Sequence, residues 1–407
     1  MFFNKGFKNN NKIIVHIGEG KTGSSTIQKF LNENRENLLQ LGYYYPRHDL
    51  DKNSISSGHQ FHLAKLDELL IEASNNSSVL ILSSEYFYGH PKHFKDFCSK
   101  HNLDPKIICF IRDVKGRIIS EYNQKIKRNA ESKSFNTLLE ENKILFEDYI
   151  NRESYAKDWV DYFGKSITFI PYGSKFFKDG KESIVQFFLS VIGIKKIKIN
   201  DRQNRINISY SLSALILKRE LNKFFTHPVG KDEVTNQIDI ALQDFSQKNQ
   251  EDFNYNPYYD LSESEVSYFD SKVKIIEESF MKVIKNNLLY TFEYRNERTK
   301  TRKENTRKYT FEYILNSFIL YNYPGLYYAI KHQVISSDHL KISPNFYTLE
   351  LAKCFDSDLT NLRLIDIINF DAEHHMKIYP GIEKEGMNPY EHFIKHGINE
   401  GKYKFDL

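Results

Sequence analysis

Residues 18–26 read Gly-Glu-Gly-Lys-Thr-Gly-Ser-Ser-Thr: three glycines, one lysine and four hydroxyl side chains within nine positions. An apolar run precedes them and a helical pattern follows at once. Such a turn offers backbone N–H groups, hydroxyls and a cation to an anion. It reads as a phosphate cradle, and the phosphate is either the group transferred or the handle of a cofactor. A nucleoside-triphosphatase loop needs G-x-x-x-x-G-K-[ST]. Gly20-Lys21-Thr22 supplies its end, but the first glycine would have to stand at Val15, so the pattern fails. The other apolar runs end at Glu85 and Arg112, not at an aspartate suited to Mg²⁺.

The elements that must position these residues are legible as apolar runs. Strands are expected at 13–17, 79–84, 106–111 and 167–171. A helix starting at Ser24 places Ile27, Phe30, Leu31 and Leu38 on one face and ends near Gly42. A second carries Ile118, Ile119, Tyr122 and Ile126, and a third carries Ile184, Phe187, Phe188 and Val191, ending near Gly193. Apolar strands alternating with amphipathic helices predict an α/β fold, a parallel sheet flanked by helices, with ligands at the carboxyl ends of the strands. From about 205 to 290 the pattern is helical. The stretch from Arg295 to Lys308 has a net charge of +5 and is expected to lie at a boundary. The domains are therefore expected at 12–292 and 309–407, with 293–308 as a charged linker and the C-terminal region smaller and mainly α-helical.

Composition narrows the function classes. Over 407 residues the net charge is only +4, so basic residues do not single out nucleic acid. Three scattered cysteines, Cys98, Cys109 and Cys354, have neither metal nor redox spacing and fit a reducing compartment. No secretion signal and no membrane span is read. The expected location is cytoplasmic, with the inner face of the membrane as a further option.

The text "HIGEGKTGSSTIQKFL", "ILSSEYF", "FIRDVKGRIISEYNQ" and "DWVDYFGKSITFIPY" resembles, in that order, bacterial carbohydrate sulfotransferases, which use 3′-phosphoadenosine 5′-phosphosulfate (PAPS). The resemblance covers about 12–290. It implies that Lys21, Thr22, Gly23, Ser24, Ser25 and Thr26 hold the 5′-phosphosulfate. Arg112 and Ser120, eight positions apart, would bind the 3′-phosphate, and Tyr172 would lie near the adenine. Lys21 would also be catalytic, meeting charge on the leaving oxygen. No metal is expected. Arg112 could instead pair with Asp113, and Tyr172 could merely cap its strand.

A sugar hydroxyl needs a base. Glu85 is the first candidate, and His59 and His62 of "SGHQFHLAK" are the alternatives. His16, inside the first strand, reads as a satisfied core residue. The expected acceptor is a carbohydrate or glycoconjugate, with 27 Tyr and 31 Phe available for stacking or for a core. Residues 370–405 resemble a short module of polysaccharide-biosynthesis proteins, which implies a glycan-assembly protein partner. Within it, Asn388 is a natural N-cap and Pro389 a first helical residue. His392 and His396 read as packing histidines. The competing functions are an ATP-dependent kinase and a non-catalytic assembly scaffold that kept the fold.

Overall fold

The computed structural model describes residues 11–20, 22–48, 65–141, 146–172, 184–194, 210–249, 261–289, 308–337, 346–355, 370–384, 386–393 and 396. In chain order the main elements are β1 (Lys12–His16), α1 (Ser24–Glu33), α2 (Arg35–Gln40), β2 (Tyr43–Tyr44), α3 (Leu66–Asn75), β3 (Val79–Ser83), α4 (Pro91–His101), β4 (Asp104–Ile111), α5 (Val114–Arg128), α6 (Phe135–Glu140), α7 (Phe146–Phe163), β5 (Ile167–Pro171), α8 (Ile184–Ile192), α9 (Leu212–Leu221), α10 (Glu233–Lys248), α11 (Glu263–Ile284) and α12 (Pro324–Ser336).

The five strands form one parallel sheet in the order β2-β3-β1-β4-β5. Val15 is in register with Leu82 of β3 and Ile107 of β4, and Cys109 with Phe169 of β5. β1 is therefore the centre, and the loops leaving β3, β1 and β4 emerge side by side at one edge. Side chains alternate across the sheet with period two. Ile13, Val15, Leu82, Cys109 and Phe169 bury one face, with Phe94, Trp159, Phe280 and Ile284. Ile14, Ile81, Ile108, Phe110 and Ile170 bury the other, beneath α1 and α8 through Ile27, Phe30, Leu31, Val185 and Phe188. Both faces are covered, which is why the strands read as continuous apolar runs rather than alternating ones.

The expected fold class holds, with local differences. The helix expected through Leu38 breaks at Asn34 into α1 and α2. The two-residue edge strand β2 carries too short a pattern to be seen in the sequence. Gly42 and Gly193 have φ of +82° and +88°, the left-handed conformation expected just past a helix end.

The described residues fall into two compact units. One takes its residues from 1–120, 141–207 and 262–301, and holds the sheet; the other takes them from 121–140, 208–261 and 302–407, and is helical. Segments from before and after the charged stretch thus share the helical unit. The reason is visible in α9, whose ten residues are all buried. A helix covered on every side needs neighbours all round, and the segment after the charged stretch supplies some of them: Tyr309 N donates to Ser213 Oγ, and the Thr348 hydroxyl donates to Glu220 Oε2 at 3.1 Å. Tyr122 is core in this unit, its hydroxyl donating to Lys133 O at 3.0 Å. Asn388 accepts from Tyr390 N at 2.9 Å, the expected cap. His375 and His392 pack with tilted rings against each other and against Tyr379, and His396 packs against His392. No group of metal-binding side chains occurs among the described residues, and no described helix is long and apolar enough to cross a membrane.

Candidate functional site

The turn after β1 is built by its glycines. Gly23 has φ +80°, and a Cβ there would stand 2.7 Å from Ile184 Cδ1 and 3.3 Å from the Tyr172 ring. Backbone conformation and space both select glycine. A Cβ on Gly18 would come within 2.9 Å of both His16 Nε2 and Ser24 Oγ. Thr22 and Ser24 are buried. The Thr22 hydroxyl donates to Glu19 O at 2.6 Å, so it shapes the loop from within. Ser25 and Thr26 remain partly exposed on the first turn of α1.

That first turn is open. No side chain caps the ten-residue α1, and no acidic residue stands in its first turn. The Thr26 N–H turns back to Gly23 O at 3.0 Å, and the positive end of the helix dipole meets no acidic residue in that turn, a setting that favours an anion. This contrasts with α9, α10 and α11, each capped by the side chain of Ser211, Asp232 or Ser262.

Arg112 leaves the end of β4, the strand beside β1. Its guanidinium lies 6.0 Å from the centroid of the Tyr172 ring. Gly116 makes room for it, since a Cβ there would stand 3.0 Å from Arg112 Nε. The alternative pairing with Asp113 does not form. Asp113 instead accepts from Gly116 N at 2.6 Å, and no ion pair joins the Arg112 guanidinium to a carboxylate among the described residues. Tyr172, held by its N–H to Ile111 O at 2.6 Å, is thus a neighbour of both Gly23 and Arg112. Ser120 is half-buried two turns along α5. Glu85 follows β3 on the other side of β1. It opens a short 3₁₀ turn, Glu85–Gly89, capped by Ser84, whose Oγ accepts from Tyr86 N. A Cβ on Gly20 would lie 3.6 Å from Glu85 Oε2, so this exposed carboxylate stands over the loop. Lys21, His59 and His62 lie outside the described residues.

The loop, Glu85, Arg112 and Tyr172 therefore share one edge of the sheet, brought there by β1, β3, β4 and β5. Sequence reasoning missed two members of the region. Glu19 and Arg152 form a buried ion pair at the base of the loop. Glu19 stood within the loop text, but Arg152 lies 133 residues away with no local pattern to mark it.

His16 is fully buried, and only one of its ring nitrogens is satisfied. Nδ1 shares a 2.8 Å hydrogen bond with Ser83 Oγ, while Nε2 has no partner among the described residues. Burial lowers its pKa to about 3. The unfolded chain, with an ordinary value near 6.5, takes up this proton first on acidification. The stability that neutral His16 contributes is therefore complete above about pH 6.5 and is lost as pH falls toward about 3, by up to ~1.4 kcal/mol per pH unit. Chemical denaturation between about pH 6.5 and 4.5 should show a shallower acid loss in His16→Asn than in the parent. Equal slopes would contradict this assignment.

No protein-family model and no curated protein matches the chain. Among solved structures the chain is similar to a sulfotransferase from Alicyclobacillus acidocaldarius, at 14% identity and a TM-score of 0.31, over 51% of this chain and 92% of that one, a likeness too loose to bear on activity.

Proposed function

We propose that this chain is a sulfotransferase that moves a sulfuryl group from PAPS to a hydroxyl of a carbohydrate or glycoconjugate. The observation that carries the reading is the Arg112 guanidinium, free of any carboxylate among the described residues, near the same Tyr172 ring that lies against Gly23 at the N-terminus of α1. An anion site at the helix end, with a flat ring and a forked cation near it, suits a nucleotide that carries phosphates at two positions of its ribose.

The residues fit that donor. The amides of 23–26 with the Ser25 and Thr26 hydroxyls would hold the 5′-phosphate, Arg112 and Ser120 the 3′-phosphate, and Tyr172 the adenine. PAPS supplies an activated sulfuryl group whose former partner departs as a phosphate. Lys21, between Gly20 and Thr22, would neutralise the charge growing on the departing oxygen. Glu85 would take the proton of the attacking hydroxyl, with His59 and His62 as the other candidates. The carboxylate over Gly20 supports the choice of Glu85. The C-terminal module is proposed to meet a glycan-assembly partner.

Thermal unfolding with ligands tests the reading. Adenosine 3′,5′-bisphosphate should raise the melting temperature by linkage, and ATP with Mg²⁺ should do so much less. Stabilisation by ATP with Mg²⁺ but not by the bisphosphate would favour a kinase instead.

A further inference from the structure

Beneath the loop, Glu19 and Arg152 are each 2% exposed. Arg152 Nε donates to Glu19 Oε1, and Arg152 Nη2 donates to Glu19 Oε2 at 2.9 Å, fork against fork. The same Nη2 donates to Arg112 O at 2.7 Å, and Arg112 N donates to Glu19 Oε2 at 3.4 Å. The peptide groups on both sides of residue 112 are thus held by this one pair. The loop is held by it as well, because Glu19 is a loop residue. Its own N–H donates to Phe110 O, and its carbonyl accepts from the Thr22 hydroxyl. Arg117 Nη1 lies 3.5 Å from Glu19 Oε1, and the Arg152 guanidinium packs over Phe280 at 3.8 Å.

Stability alone does not account for this arrangement. Two charges have been taken out of water, and Arg152 Nη1 is buried with no hydrogen-bond partner among the described residues. Apolar residues of similar size in place of such a pair are often neutral or stabilising. Neither side chain reaches solvent, so neither is a substrate contact. What the pair does achieve is a fixed separation between the turn before α1 and the end of β4.

We propose that Glu19 and Arg152 are positioning residues that set the spacing between the two phosphate-binding motifs, so that a nucleotide phosphorylated at both positions is preferred to one phosphorylated only at the 5′ position. This rests on the nucleotide reading above. A ligand that bridges two sites gains from both only when their spacing matches it, and a misplacement of about 1 Å can cost on the order of 10²-fold.

The test is equilibrium binding of adenosine 3′,5′-bisphosphate and adenosine 5′-monophosphate to the full chain and to Glu19→Leu/Arg152→Met, with thermal melts alongside. The monophosphate, which uses the loop alone, should keep its affinity within about threefold, while the preference for the bisphosphate falls by about tenfold or more. A purely structural role would lower the melting temperature and weaken both ligands alike; an unchanged preference overturns the proposal. Should the double variant lack a cooperative melt, Arg152→Lys serves. It keeps the charge but cannot bond Glu19 twice and Arg112 O at once, so the preference should still fall, by about fivefold. No fall there also overturns the proposal. If the parent chain itself shows no preference for the bisphosphate, the nucleotide reading fails and this inference with it.

Discussion

Lys21→Ala is expected to lower turnover with PAPS by about 10²–10³-fold, the usual cost of removing one donor to developing charge. Binding of adenosine 3′,5′-bisphosphate should weaken by less than about tenfold, since an interaction made chiefly in the transition state appears in kcat rather than in product affinity. The placement behind this is the loop itself. Gly20 and Thr22, its neighbours in sequence, lie in the turn after the central strand, and the Glu85 carboxylate stands over Gly20. Steady-state kinetics and product inhibition, measured on one preparation, separate the two quantities. Small and equal effects on both would remove Lys21 from the reaction.

Arg112→Ala acts on the other half of the site. Its guanidinium has no carboxylate among the described residues to satisfy, so its loss leaves no stranded partner charge and the fold should tolerate it. A charge-assisted hydrogen-bond pair to phosphate is worth about 1.5–3 kcal/mol, so bisphosphate affinity should fall by about 10–100-fold while the 5′-monophosphate is nearly unaffected. Arg112→Lys should recover only part, because a single ammonium cannot reproduce the fork. Titration calorimetry with both ligands reads this directly; a parallel loss for the two would place Arg112 outside the 3′-phosphate site.

How much of this was legible in the sequence follows from range. β1, β3, β4 and β5 each carry a short buried apolar run, and amphipathic helices alternate with them, so the parallel sheet could be read from local text. The glycine turn and Arg112 could be read too, because the ends of parallel strands fall at one edge, and that brings residues about ninety positions apart together. The sharing of the helical unit by 208–261 and 302–407 could not, since contacts such as Gln333 to Phe224 leave no periodic trace. Arg152 was hidden for a related reason. No local pattern marks it, and only the fold shows that it faces Glu19 and Phe280. His16 was placed in the core correctly, but its unsatisfied Nε2 depends on Gly18 and Ser24 closing over it, a tertiary fact.

The central claim is that one nucleotide bridges the turn before α1 and the end of β4. A crystal structure with adenosine 3′,5′-bisphosphate tests it most directly. The account predicts the 5′-phosphate on the amides of residues 23–26, the adenine beside Tyr172 and the 3′-phosphate on Arg112 and Ser120. Phosphates bound elsewhere, or a ligand touching the turn while Arg112 faces away from it, would contradict it.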